Sequence, residues 1–146
     1  MRNLAPPRRP AHTLAEVVLV VTIIGLTTIL GIRQLQLHLD QLAVHAAISE
    51  SAIVVARARD EALAQRTPVS VRVDTAAGTL TLGARGERVA TVALGHAHGV
   101  VLATSRDSIA FDVRGLGYGA ANLTLVAKRG VAAETLVVSR LGRVRF

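Results

Sequence analysis

Arg8-Arg9-Pro10-Ala11-His12-Thr13-Leu14-Ala15-Glu16 leads directly into the apolar run from Val17 to Ile32 and sets one carboxylate just inside an otherwise uncharged segment of membrane length. A carboxylate in hydrocarbon costs at least roughly 2.5 kcal/mol, so an acid here points to a function or to a partner that neutralises it. Thr13-x-x-Glu16 ahead of an apolar run is also a capping box, which satisfies two orphan helix amides. The two readings are compatible. Leu14 to Ile32 is 19 residues, close to the roughly 20 that span about 30 Å of hydrocarbon. A cleavable secretory signal fits poorly, because Arg33-Gln34-Leu35-Gln36 follows the run with no small-residue site beside it. Arg2, Arg8 and Arg9 precede the span, and the nearest charges after it are Arg33 and Asp40. The positive-inside bias therefore predicts a cytoplasmic N-terminus and an extracytoplasmic remainder. Gly25, Gly31 and the hydroxyls of Thr22, Thr27 and Thr28 suit close contact with other helices.

The arrangement resembles the start of a type IV prepilin, in which a short basic leader ends in Gly and the mature chain begins Phe-Thr-Leu-x-Glu. With Glu16 as the acid of that motif, Ala11 is the last leader residue and His12 the first mature one, and Thr13 and Leu14 match as they stand. Ala11 replaces the family's Gly, His12 replaces its Phe, and the proline common in its apolar helix is missing. The resemblance implies a processing junction at Ala11/His12 cut by prepilin peptidase, N-methylation of His12, and Glu16 as the assembly residue.

Zero cysteines remove disulfides, thiol catalysis and cysteine-rich zinc sites, so packing must hold the fold. From Arg33 to Gln65 there is neither Pro nor Gly, and apolar or small residues recur at Leu35, Leu39, Leu42, Ala46, Ser49, Ile53, Ala56 and Leu63. Those steps of three and four predict an amphipathic helix burying that stripe. Joined to the span, it makes one helix of roughly 50 residues, on the order of 75 Å, that ends near Pro68.

Beyond Pro68 the period becomes two, as in Val69-Ser-Val71-Arg-Val73, Leu80-Thr-Leu82, Val89-Ala-Thr-Val92 and Leu123-Thr-Leu125-Val126. These read as short antiparallel strands, seven or eight in number, with turns over 74–78, 83–86 and 95–99. The fold class is α+β and pilin-like, one long N-terminal helix packed on an antiparallel sheet domain. The divisions are a leader at 1–11, a transmembrane half-helix at 12–33, an amphipathic half at 34–67 and a β domain at 68–146.

Ile109-Ala-Phe111-Asp112-Val-Arg114-Gly115-Leu116-Gly117 and the ending Leu136-Val-Val-Ser139-Arg-Leu-Gly142-Arg143-Val-Arg145 resemble the distal half of GspH/FimT-type minor pilins and pseudopilins. That resemblance implies a minor pseudopilin of a type II protein secretion system, a subunit of a filament assembled from the inner membrane with other pilins or pseudopilins. It implies no cofactor and no enzyme activity.

Charge supplies the alternative. The chain carries +7, or +4 on the side chains once Arg2, Arg8 and Arg9 are removed, and the last third is basic. Gly142-Arg143-Val-Arg145 matches the Gly-Arg-x-Arg ending with which the FimT branch of minor type IV pilins binds DNA in natural transformation. Arg143 and Arg145, with Arg140, Lys128 and Arg129, are the candidate residues for double-stranded DNA. Spacing of two puts the first pair on one strand face, although an Arg-Val-Arg strand is also an ordinary charged edge. With three aromatics in the chain, binding would be phosphate-driven rather than by stacking.

Other motifs carry less. His96-x-His98 on a strand would aim both rings one way, toward a metal, but no acid or Cys lies close in sequence. His38 and His45 share a helix face and read as surface or interface residues, and Asn122-Leu-Thr124 is an incidental sequon. No nucleophile elbow, phosphate loop or paired-carboxylate motif points to an enzyme.

Overall fold

The computed structural model describes residues 13–118 and 122–146. The chain forms two compact units, 1–36 and 37–146. Its elements are α1 (Leu14–Gln65), β1 (Val69–Asp74), β2 (Thr79–Ala84), β3 (Glu87–Val92), α2 (Leu94–His98), β4 (Val101–Thr104), β5 (Ser108–Phe111), β6 (Gly117–Tyr118), β7 (Leu123–Arg129), β8 (Ala132–Val138) and β9 (Val144–Arg145). In the first unit every described residue of α1 is exposed, and the helix is long and apolar enough to cross a membrane. Thr22, Thr27 and Thr28 each return their hydroxyl to a carbonyl one turn back, at 2.7–3.0 Å. That satisfies hydroxyls which lipid would otherwise strand.

In the second unit α1 ends at Gln65, with Arg66 in the left-handed region at φ 50° and Pro68 directly before β1. The strands form two antiparallel sheets, ordered β3-β2-β1-β5-β6 and β4-β7-β8-β9. Alternation selects their faces: β1 buries Val69, Val71 and Val73 while Ser70, Arg72 and Asp74 look outward. Residues 95–99, expected as a turn, are mostly the short α2, closed by Gly99 at φ 64°. β2 runs through Gly83 to Ala84, so its hairpin turn contracts to Arg85-Gly86.

One core joins α1 to both sheets: Ile48 and Val55 from the helix, Leu80, Leu82 and Phe111 from the first sheet, and Leu125, Leu136 and Val138 from the second. Fully burying such side chains stabilises the fold by roughly 1.5–3 kcal/mol each. The one buried polar side chain among the described residues, Ser51, donates its hydroxyl to the Ala47 carbonyl at 2.7 Å.

The helix stripe is the main correction. α1 turns Val44, Ala47, Ile48, Ser51, Val55, Ala58 and Ala62 inward, whereas Leu39, Leu42, Ile53 and Leu63 of the expected stripe are 50, 65, 66 and 45% exposed. At 100° per residue the two sets lie on opposite sides of the helix. Four small side chains, Ala47, Ser51, Ala58 and Ala62, let α1 approach the sheets closely, and the long leucines are left outside.

Candidate functional site

Thr13 caps α1. Its carbonyl accepts the amides of Glu16 and Val17 at 3.0 and 3.2 Å, and its hydroxyl accepts the Glu16 amide at 3.3 Å. The first turn thereby fixes Glu16 on the helix surface, in a shallow cleft with Val17, Val20 and Val21. Ala11 and His12 lie outside the described residues.

The outward side of the second half of α1 carries a row of uncovered apolar side chains. Leu39, Leu42, Ile53 and Leu63 repeat along it at helical spacing. The helix is also fixed by polar contacts, to β7, β8 and α2, made from its buried side and its flanks. Asp40 Oδ1 pairs with Arg129 Nε at 2.9 Å, His45 Nδ1 with Glu134 at 3.2 Å, and Glu50 Oε2 with His98 Nε2 at 2.7 Å. Exposed pairs of this kind contribute about 0–1 kcal/mol each, so their effect is on helix register more than on stability.

These contacts sort the basic candidates. Arg129 is held by Asp40, and its Nη1 donates to the His98 carbonyl at 2.7 Å. Lys128 stands beside it near the β7–β8 turn, opposite Ala133. Arg143 and Arg145 lie at the other end of that sheet, where β9 pairs with Val137 and Val138. Along β8 the partners of Lys128 and Arg145, Ala133 and Val137, are four residues apart, about 13 Å, and Arg129 is turned to Asp40, so the five candidates do not form one compact patch. Arg143 and Arg145 do share a surface groove, with Asn122, Val137, Ser139 and Leu141. Arg140 is exposed in the turn before it, its carbonyl accepting the Gly117 amide at 2.8 Å.

The distal glycines have a packing cause that sequence reading missed. The stem of Arg59 on α1 runs between two turns, and a Cβ on Gly115 would come within 3.2 Å of Arg59 Cγ and Leu63 Cδ1. A Cβ on Gly142 would lie 3.1 Å from Arg59 Cδ, and both glycines have φ near +70°. On Gly117 it would lie 2.9 Å from the Arg140 carbonyl oxygen. The two distal motifs are therefore halves of one clasp over Arg59.

Asp112 shapes the first of those turns, its Oδ1 accepting the amides of Arg114 and Leu116, each at 2.9 Å. The Leu116 amide is the main cause that holds its carboxyl below the ordinary 3.8; partial desolvation opposes it, and the amide and charge of Arg114 assist. A carboxyl depressed on folding contributes stability that is present above its unfolded pKa and lost as pH falls through the folded one. We expect Asp112→Asn to flatten the fall in stability below about pH 4, measured by chemical denaturation across pH; an unchanged acid limb would contradict this.

His96 and His98 lie on α2 rather than on a strand, so their spacing of two does not align the rings. His98 is engaged by Glu50, and no group of three metal-ligating side chains occurs among the described residues. His45 meets Glu134 and the Phe146 ring edge-on at 6.4 Å, and His38 is exposed.

A long N-terminal helix with an apolar first half, packed through its second half on antiparallel sheets, defines a pilin-like subunit. Comparison with known families agrees: the profile described as "Type II transport protein GspH" matches residues 48–142, and the chain belongs to that family. The solved type IV minor pilin FimU of Pseudomonas aeruginosa is similar in fold at 19% identity and TM-score 0.60, over 70% of this chain and 87% of that one. The minor pseudopilin EpsH from the Type 2 Secretion System of Vibrio cholerae is similar at 14% identity and TM-score 0.55, over 70% and 94%. No curated protein matches in sequence.

Proposed function

We propose that the chain is a minor pseudopilin of a type II protein secretion system, a structural subunit of a pseudopilus assembled from the inner membrane. The observation that carries this reading is the apolar stripe of α1 left outside the fold at Leu39, Leu42, Ile53 and Leu63. Apolar side chains repeated along one exposed helix face suit an interaction site, and neighbouring pilins or pseudopilins are partners that the family supplies. Prepilin peptidase removes residues 1–11 between Ala11 and His12, His12 becomes the methylated N-terminus, and the apolar half of α1 remains in the membrane. The N-terminus faces the cytoplasm and the β domain lies in the periplasm.

In this reading Glu16 meets a positive mature N-terminus, its own or a neighbour's, so that two charges leave lipid together. Breaking a buried pair by removing one partner typically costs about 3–5 kcal/mol, although the pair itself need not stabilise more than apolar residues would. Coexpressed with prepilin peptidase, the chain should begin at methylated His12. Glu16→Leu should be processed alike yet be missing from sheared filaments. A Met1 terminus, or wild-type recovery of Glu16→Leu in filaments, would contradict the proposal.

The alternative, a FimT-like minor type IV pilin that binds DNA, is favoured by one observation: Arg143 and Arg145 share a groove at the sheet edge. Only these two, with Arg140 adjoining, belong to it, because Arg129 is occupied by Asp40 and Lys128 does not line the groove. For that reading, Arg143→Ala/Arg145→Ala should weaken duplex binding and make the log-log salt slope shallower by about 0.9 for each phosphate that is no longer neutralised. No binding by the wild type at low salt would exclude it.

A further inference from the structure

The outer face of the five-stranded sheet carries a second groove, lined by Ser70 and Arg72 of β1, Thr81 and Gly83 of β2, Arg88 of β3 and Ser108 of β5, with Gly86 and Glu87 at its end. Pairing explains why these residues meet. Arg72 stands opposite Thr81 on one side and Ser108 on the other, and Ser70 stands opposite Gly83. Unbroken alternation along β3 would turn Arg88 to the core face, because Val92 and Ala90 pair with the buried Leu80 and Leu82. A shift of register after Leu82 instead pairs Arg88 with Gly83. Such a bulge re-aims a side chain and is frequent beside binding sites. Gly83 has no side chain to fill the floor, and a Cβ there would meet only ordinary contacts at 3.4 Å, so packing does not demand a glycine.

The hairpin that closes the groove adds a second, independent observation. Arg85 and Gly86 form its tip with φ of 54° and 82°. Asn-Gly is the favourable pair for such a turn, and an Arg held at positive φ is a strained choice that stores cost at a surface site. Neither Arg72 nor Arg88 is committed to an ion pair among the described residues, unlike Arg129.

We propose that this groove binds an acidic segment of a partner protein. Arg72 and Arg88 would take carboxylates in two-pronged hydrogen bonds, and the hydroxyls of Ser70, Thr81 and Ser108 would donate to the remaining oxygens or pair with its backbone. Glu87 on the same wall repels a continuous polyphosphate but accommodates a peptide whose acids alternate with neutral or basic residues. No aromatic lines the groove, so stacked bases or sugar rings have no platform.

The test is fluorescence anisotropy of the full chain in detergent with a fluorescein-labelled peptide of alternating Glu and Ser. Arg72→Ala/Arg88→Ala should weaken binding about tenfold or more, as expected for two charge-assisted contacts. Gly83→Val should weaken it by filling the floor with both charges intact, and Arg143→Ala/Arg145→Ala should leave it unchanged. All variants should unfold at the wild-type temperature. Wild-type affinity in the Arg72/Arg88 variant overturns the proposal. So does a duplex DNA probe that binds in place of the peptide and is lost in that same variant, since the groove would then be a phosphate site.

Discussion

Phe111→Ala is expected to destabilise the second unit by about 3–5 kcal/mol, the range for removing a fully enclosed aromatic. Phe111 has no exposed surface and is the largest of the fully buried side chains. It stands on β5 opposite Val69 of β1 and Gly117 of β6, directly before the turn that Asp112 shapes. Its loss therefore opens a cavity where the five-stranded sheet meets α1 and loosens the clasp over Arg59. Domains of this size are stable by about 5–15 kcal/mol, so a large part of the margin disappears. Denaturant titration of the full chain in detergent, followed by circular dichroism, measures it; a loss under about 1 kcal/mol would mean that the site collapses around the gap.

The second large effect is expected from Leu42→Asp/Ile53→Asp. Both side chains are about two-thirds exposed, so the stability of the isolated subunit should stay within about 0.5 kcal/mol of wild type. Incorporation into filaments should be lost, because assembly would bury two unpaired carboxylates among apolar neighbours. Pairing the assembly readout with unfolding of the isolated chain separates an interface defect from a folding defect. A variant that unfolds normally and still enters filaments would remove the stripe from the interface.

Much of the architecture is legible in the chain because local rules and burial agree there. Thr13 caps where its spacing to Glu16 predicts, the helix stops just short of Pro68, and Val69, Val71 and Val73 alternate inward. The buried face of α1 was not legible, because the helix carries two apolar sets at the same spacing and periodicity alone cannot rank them. Residue size is the signal that ranks them. Ala47, Ser51, Ala58 and Ala62 permit close approach of a sheet, whereas Leu39 and Leu42 would hold it off. The basic end was legible only for Arg143 and Arg145, whose spacing of two does put them in one groove. The pairing of Arg129 with Asp40 joins residues 89 apart and leaves no local trace. Nor does the sequence spacing announce that Gly115 and Gly142 close on the same arginine stem.

The central claim, that the outward stripe of α1 is a contact between subunits, is tested most directly by site-specific crosslinking, for which a cysteine-free chain is well suited. Leu42→Cys and Ile53→Cys, each labelled with a photoreactive maleimide in cells assembling the filament, should yield adducts with pilin or pseudopilin subunits. Val101→Cys, which is equally accessible on the outer sheet face, should not. Absence of subunit adducts from both stripe positions, or equal adducts from Val101, would contradict the account.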